Sequence, residues 1–170
     1  GYIRQMDITC NGMMTSASLC RMVQVVVVLL KLLQRLWQGV SGDVINVANP
    51  KAVQFAKDVV DELIELFPFG YIHLGGDECP TGKWERNAEC QALLKEIGST
   101  NYRDLQINFY KQIKEHIAQK PADEQRKLIF WNEVLHGNTE PLGDDITIMA
   151  WIGADRAAVD AAKRGMNTIL

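Results

Sequence analysis

Residues 71–78 read Tyr71-Ile72-His73-Leu74-Gly75-Gly76-Asp77-Glu78, a short apolar run that ends in two glycines and two carboxylates. Bounded by Gly70 and Gly75, Tyr71 to Leu74 has the length and punctuation of a buried strand. The glycine pair lets the backbone turn, or lie close to a ligand, where the strand ends. Upstream, Asn49 and Pro50 form an N-cap and first-turn pair. Val53, Ala56, Val60, Leu63, Ile64 and Phe67 then recur at three and four, which predicts an amphipathic helix over 50–67 closed by Pro68 and Gly70. Downstream, one helix is expected after Thr81, with Trp84, Ala88, Leu94 and Ile97 inward and Gly98 at its end. A longer one is expected from about Thr100 to Gln119, striped by Tyr102, Leu105, Phe109, Ile113 and Ile117 and closed by Pro121. Strands follow at Lys127–Trp131, Ile146–Trp151 and Asn167–Leu170, with a helix over Asp155–Arg164, capped by Gly165, between the last two. Helix alternating with strand predicts a parallel α/β fold. The tightest link is Trp131 to Ile146, only just long enough for a parallel crossover.

The rest of the chain bounds the reading. Its 170 residues are 47% hydrophobic and 23% charged with a net charge of −3, a globular balance without the basic footprint of a nucleic-acid or anionic-membrane binder. The apolar run Val25–Leu33 contains Lys31 and falls short of the roughly 18–20 residues that span a bilayer, so no membrane span is expected. Composition shifts near residue 41: residues 1–41 hold four basic residues against one acidic, and the remainder 14 against 20. Two units are therefore expected, an atypical segment over 1–41 and a regular α/β unit over 42–170. The run Met22–Trp37 fits a buried helix or a strand followed by a helix. The chain begins at Gly1 without a Met, as a processed product or an excised piece does. Four cysteines are too sparse for a disulfide scaffold, and Cys79 and Cys90 leave two readings open, a bridge or buried free thiols.

Chemistry in a parallel sheet gathers at the C-terminal strand ends. Three such ends carry Asp77 and Glu78, then Trp131, Asn132 and Glu133, then Trp151. Two carboxylates and two indoles on one face point to carbohydrate: indoles stack on the apolar face of a pyranose, and a carboxyl desolvated among aromatics suits a general acid. Adjacent Asp77 and Glu78 would point to opposite faces of a regular strand, so both serve one ligand only if the turn after Gly76 breaks the alternation. Two neighbouring carboxylates also match neither the retaining pair, about 5 Å apart, nor the wider inverting pair.

The segment His73-Leu74-Gly75-Gly76-Asp77-Glu78 resembles the H-x-G-G-D-E signature of family 20 glycoside hydrolases, the beta-N-acetylhexosaminidases. Trp131-Asn132-Glu133 and Met149-Ala150-Trp151 are similar to that family's next two strand ends. The resemblance spans about residues 42–170 and is faint before that. It implies a (β/α)8 barrel, here partial, and a substrate-assisted retaining mechanism that removes terminal N-acetylhexosamine from glycans or chitin-type oligomers. By the resemblance, Glu78 is the acid and then the base, Asp77 orients the acetamide, and Trp131 and Trp151 wall its pocket. No metal or organic cofactor is implied, and the compartment implied is periplasmic or extracellular. The family's early arginine, late tyrosine and final tryptophan and acidic residue have no counterpart here, so the chain resembles the middle of a catalytic domain. A barrel cut in this way exposes two sheet edges and half a core, and is expected to self-associate, aggregate or be poorly stable unless residues 1–41 cover the gap.

Other readings compete. A non-catalytic carbohydrate-binding or interaction fragment would keep the strand ends without turnover. A phosphate site at Gly75-Gly76 lacks a neighbouring Lys or Arg, and a divalent metal at Asp77 and Glu78 lacks a further ligand. Glu133 reads as a partner for a neighbouring polar group. His73 reads as a satisfied structural histidine, and His116 and His136 as surface residues.

Overall fold

The computed structural model describes residues 44–151 and 153–170. The run Met22–Trp37 lies outside them, as does the whole of the segment over 1–41. Helix α1 spans Pro50–Leu66; the Asn49 side chain accepts from the Lys51 backbone N–H, and Pro50 sits where a missing N–H costs nothing. Four strands, β1 (Tyr71–His73), β2 (Lys127–Trp131), β3 (Thr147–Met149) and β4 (Asn167–Ile169), lie in chain order in one sheet. Every pairing is parallel, with His73 opposite Ile129, Trp131 opposite Met149, and Met149 opposite Ile169. Among the described residues β1 and β4 are paired on one side only.

Alternation along the strands divides the sheet's two faces. Ile72, Leu74, Leu128, Phe130 and Ile148 join the main core with Val60, Leu63 and Ile64 of α1 and Ile107, Tyr110, Ile113 and Ile117 of α3 (Arg103–Ala118). His73, Ile129, Trp131, Thr147 and Met149 have the opposite parity and line the other face. Helices α1 and α3 are further joined where Asp61 accepts from His116 at 2.7 Å and from Lys120 at 2.9 Å. His116, expected at the surface, is therefore half-buried in a bridge between helices, because its partner lies on an element distant in sequence. Burial raises the Asp61 carboxyl, but its bonds to Lys120 and His116 outweigh that and hold it below its ordinary range.

The helix expected after Thr81 is two pieces, a 3-10 turn over Trp84–Arg86 and helix α2 over Ala88–Glu96. Asn87 divides them: its extended backbone ends the turn, and its side chain caps α2 by accepting from the Cys90 N–H. Ala88 consequently faces solvent, while Trp84 and Leu94 are buried with Val44, Val47, Cys90 and Leu105 in a second core. The Trp84 indole also donates to the Ile45 carbonyl at 2.9 Å, tying this segment to residues 44–48. Cys79 and Cys90 are both free, which leaves the thiol reading in place. Among the described residues no helix is long and apolar enough to cross a membrane.

The tight link between β2 and β3 contains no α-helix. Two 3-10 turns, Asn132–His136 and Glu140–Leu142, take its place, and their Val134 and Leu142 fill the core where a crossover helix would pack. Helix α3 holds the link from below through Asp104, which accepts from the Asn138 N–H, and through Lys114, which donates to Leu142 and Asp145. Helix α4 (Ala154–Lys163) follows β3, and Arg164 just beyond it donates to Thr139 and to the Leu135 carbonyl.

Gly137 is where the link passes closest to α3: a Cβ there would stand 2.8 Å from Ile107 Cγ1 and 3.3 Å from the Arg103 carbonyl oxygen. Gly137→Ala is expected to lower stability by about 1–3 kcal/mol through overpacking. Gly70→Ala, with nothing within 4 Å of its Cβ, is the control and should stay close to wild type in the same urea titration. Equal midpoints for the two variants would contradict this packing.

Candidate active site

The parallel ladder runs past the formal end of β1. The Leu74 N–H donates to Ile129 at 3.0 Å and the Trp131 N–H to Gly75 at 2.9 Å, so the chain is in register until the glycines turn it. Gly75 at φ +80° and Gly76 at φ +104° occupy the left-handed side of conformational space, where a side chain would be strained. Glu78 follows at φ +46°, alone among the described non-glycine residues in having positive φ. The regular alternation of the strand is thereby broken at the two carboxylates. The left-handed backbone at Glu78 costs roughly 1–2 kcal/mol, strain of the kind that collects at functional sites.

Two sides of the turn are held. On the helix side, Tyr110 donates to the Leu74 carbonyl and Gln106 to the Gly76 carbonyl, each at 3.4 Å. Burial raises the Tyr110 hydroxyl well above its ordinary range, so it remains a donor. On the other face, the Gly75 N–H donates to His73 Nδ1 at 2.9 Å, which requires the ring's proton to sit on Nε2. That Nε2–H is buried and has no hydrogen-bond partner among the described residues. Burial holds the His73 pKa down to about 4, with the negative charge of Asp77 opposing.

The Asp77 carboxylate is partly buried, with Oδ1 folded back to 3.7 Å from the position a Cβ on Gly75 would take. Its charge also acts on Cys79, whose thiol is pushed up to about 11, first by burial and then by Asp77 against an opposing Arg103. Cys79 is thus held mainly as the thiol at neutral pH. Glu78 is exposed, in contrast to the expected carboxyl enclosed by aromatic rings.

The indoles come from the next two strand ends. The Trp131 ring lies 4.9 Å from His73 on one side and 5.8 Å from Trp151 on the other, tilted by 56° in both cases. Trp151 is 48% exposed, yet its backbone N–H donates to Asn132 Oδ1 at 3.0 Å and its indole N–H to Glu133 Oε2 at 2.9 Å. Asp77, Glu78, Trp131 and Trp151 therefore occupy three adjacent strand ends. Glu133 accepts from a neighbouring polar group, as its sequence reading has it. Gln106 and Tyr110 escape that reading; their only signal is a polar residue and a tyrosine four apart, beside the helix's apolar stripe. No group of three or more His, Cys, Asp or Glu among the described residues is gathered closely enough to hold a metal ion.

The chain matches the family described as glycosyl hydrolase family 20, catalytic domain, over residues 16–170, beginning ahead of the motif-bearing region. It is 35% identical over 136 residues to a beta-hexosaminidase of Porphyromonas gingivalis, covering 80% of this chain and 16% of that protein. A beta-hexosaminidase of Vibrio furnissii is 31% identical over 133 residues, with 78% and 21% covered. Among solved structures, an exo beta-N-acetylglucosaminidase from Vibrio harveyi in complex with N-acetylglucosamine superposes at a TM-score of 0.64 and 32% identity, over 74% of this chain and 19% of that one. A beta-N-acetylhexosaminidase from Bacteroides fragilis does so at 0.67 and 29% identity, over 77% and 26%. The chain thus spans between 16% and 26% of the lengths of these relatives. The four parallel strands with their helices agree with the partial (β/α)8 barrel expected from the sequence.

His73 makes the site acid-sensitive. Its pKa falls from 6.5 to about 4 on folding, so across that window the unfolded chain takes up a proton that the folded chain refuses. Stability is expected to drop by about 1.4 kcal/mol per pH unit between those values and to be fully retained above them. His73→Asn keeps an acceptor oxygen near Nδ1 but cannot titrate, so its urea midpoints from pH 7 to pH 4.5 should fall less steeply than wild type. Identical slopes would contradict the buried neutral imidazole.

Proposed function

The chain belongs to glycosyl hydrolase family 20, and from that premise we propose that it carries the active-site core of a beta-N-acetylhexosaminidase acting on terminal N-acetylhexosamine of glycans or chitin-type oligomers. One observation carries this reading: the parallel register sets Asp77 and Glu78, Trp131, and Trp151 at three neighbouring strand ends, with the two indoles 5.8 Å apart. The glycine turn and the left-handed Glu78 support both carboxylates working at one sugar.

In the proposed reaction the sugar's own acetamide carbonyl oxygen attacks the anomeric carbon as the glycosidic bond breaks. Glu78 gives its proton to the departing oxygen, and a cyclic oxazolinium-type intermediate forms. Asp77 accepts from the acetamide N–H and its negative charge stabilises the positive charge that develops on the ring. Glu78, now a carboxylate, takes a proton from water as that water opens the ring at the anomeric carbon, so configuration is retained and Glu78 is protonated again. Trp131 and Trp151 form the apolar walls beside the acetamide. Glu78 is exposed without a ligand, and the bound sugar itself supplies the desolvation that a general acid requires.

Release of nitrophenol from a nitrophenyl N-acetyl-beta-glucosaminide, with light scattering on the same sample, tests this reading. Self-association across the edges of β1 and β4 that no described strand covers is part of it, so any turnover should come from an assembly larger than a monomer. Glu78→Gln is expected to lower kcat by about 10²–10⁴-fold, and Asp77→Asn by about 10²–10³-fold. Equal turnover in wild type and Glu78→Gln would overturn the assignment of Glu78. Binding of N-acetylglucosamine without turnover in any form would favour a non-catalytic carbohydrate-binding role.

A further inference from the structure

Trp151 presents a physical problem that the reaction leaves open. An indole 48% exposed has few neighbours to fix its rotamer, yet a pocket wall works only if its face is set before the ligand arrives. Among the described residues its two polar contacts both come from the residues that directly follow Trp131. Asn132 accepts from its backbone N–H and Glu133 from its indole N–H, and the acceptors themselves are 7% and 9% exposed. An apolar residue of similar size would fill the same space but could not accept from the indole N–H. What Glu133 provides is a hydrogen-bond acceptor in a fixed position.

We infer that Glu133 is a positioning residue: its carboxylate sets the plane of the Trp151 indole against Trp131, so that the triplet ending β2 shapes the ligand-facing wall carried by β3. The bond joins the two strand ends beyond their last register pair, Trp131 with Met149. Glu133 touches no ligand in this role and acts only through Trp151. The inference rests on the proposed function for the identity of the ligand, and on geometry alone for the clamp.

The test uses the full chain with 15N-labelled tryptophan, its Trp151 indole resonance assigned by Trp151→Phe. In wild type, solvent exchange of the Trp151 indole N–H is expected to be about tenfold or more slower than in free tryptophan, because opening must break the carboxylate bond. Exchange at the free rate would overturn the clamp without recourse to any variant. Glu133→Gln, which keeps an acceptor oxygen, should retain protection and N-acetylglucosamine affinity to within about twofold. Glu133→Leu should lose the protection and weaken N-acetylglucosamine binding by about fivefold, the loss of one hydrogen bond. Unchanged exchange and affinity in Glu133→Leu would also overturn the clamp. Were wild type to bind no N-acetylglucosamine, the functional reading would fail, and the exchange rates would still decide the clamp.

Discussion

Every feature of the site depends on one stretch of parallel hydrogen bonding, in which Leu74 donates to Ile129 and Trp131 to Gly75. These two bonds carry β1 and β2 in register to their last common level. At that level one chain turns on two glycines while the other delivers an indole. A slip of one residue would move His73 and Trp131 into the helix-side core and send Ile72 and Phe130 to the opposite face. The apolar packing of Ile72, Leu74 and Phe130 against α1 and α3 is what excludes that slip.

Above this ladder the site is assembled from contacts that run between elements. His73 accepts from the Gly75 N–H from one side of the turn, and Tyr110 and Gln106 donate to its carbonyls from the other. The Gly75 N–H and the Leu74, Gly75 and Gly76 carbonyls thus all find partners while the turn leads directly into Asp77 and Glu78. The rings of His73, Trp131 and Trp151 then stand in series across three strands, and Glu133 anchors the far end. Buried polar groups, His73 and Glu133, stand at each end of this series, and the two site residues that face solvent, Glu78 and Trp151, are those expected to meet the ligand.

Local signals in the sequence carry much of this architecture. Asn49-Pro50 and Pro68 bracket α1, the run Lys127–Trp131 is β2, and Gly75-Gly76 marks the turn, because each depends on residues adjacent in the chain. Signals of other kinds are harder to read. The break at Asn87 is a cap inside an otherwise helical pattern, visible only as one asparagine three residues before Cys90. The link from Asn132 to Ile146 packs through 3-10 turns, which have no extended period to detect. His116 finds Asp61, and Glu133 finds Trp151, across gaps that no local pattern spans. Strand-end position and family resemblance point to Asp77, Glu78, Trp131 and Trp151; the supports around them, Tyr110, Gln106 and Asn132, are tertiary and have no comparable signal.

We propose that these strand ends form one pocket for the acetamido group of a sugar. The direct measurement is tryptophan fluorescence of the full chain titrated with N-acetylglucosamine and, separately, with glucose, which has a hydroxyl where the acetamido group stands. A saturable response to N-acetylglucosamine that is lost in Trp151→Phe, with little response to glucose, is the expected result. Equal responses to both sugars, or a response to neither, would contradict the claim.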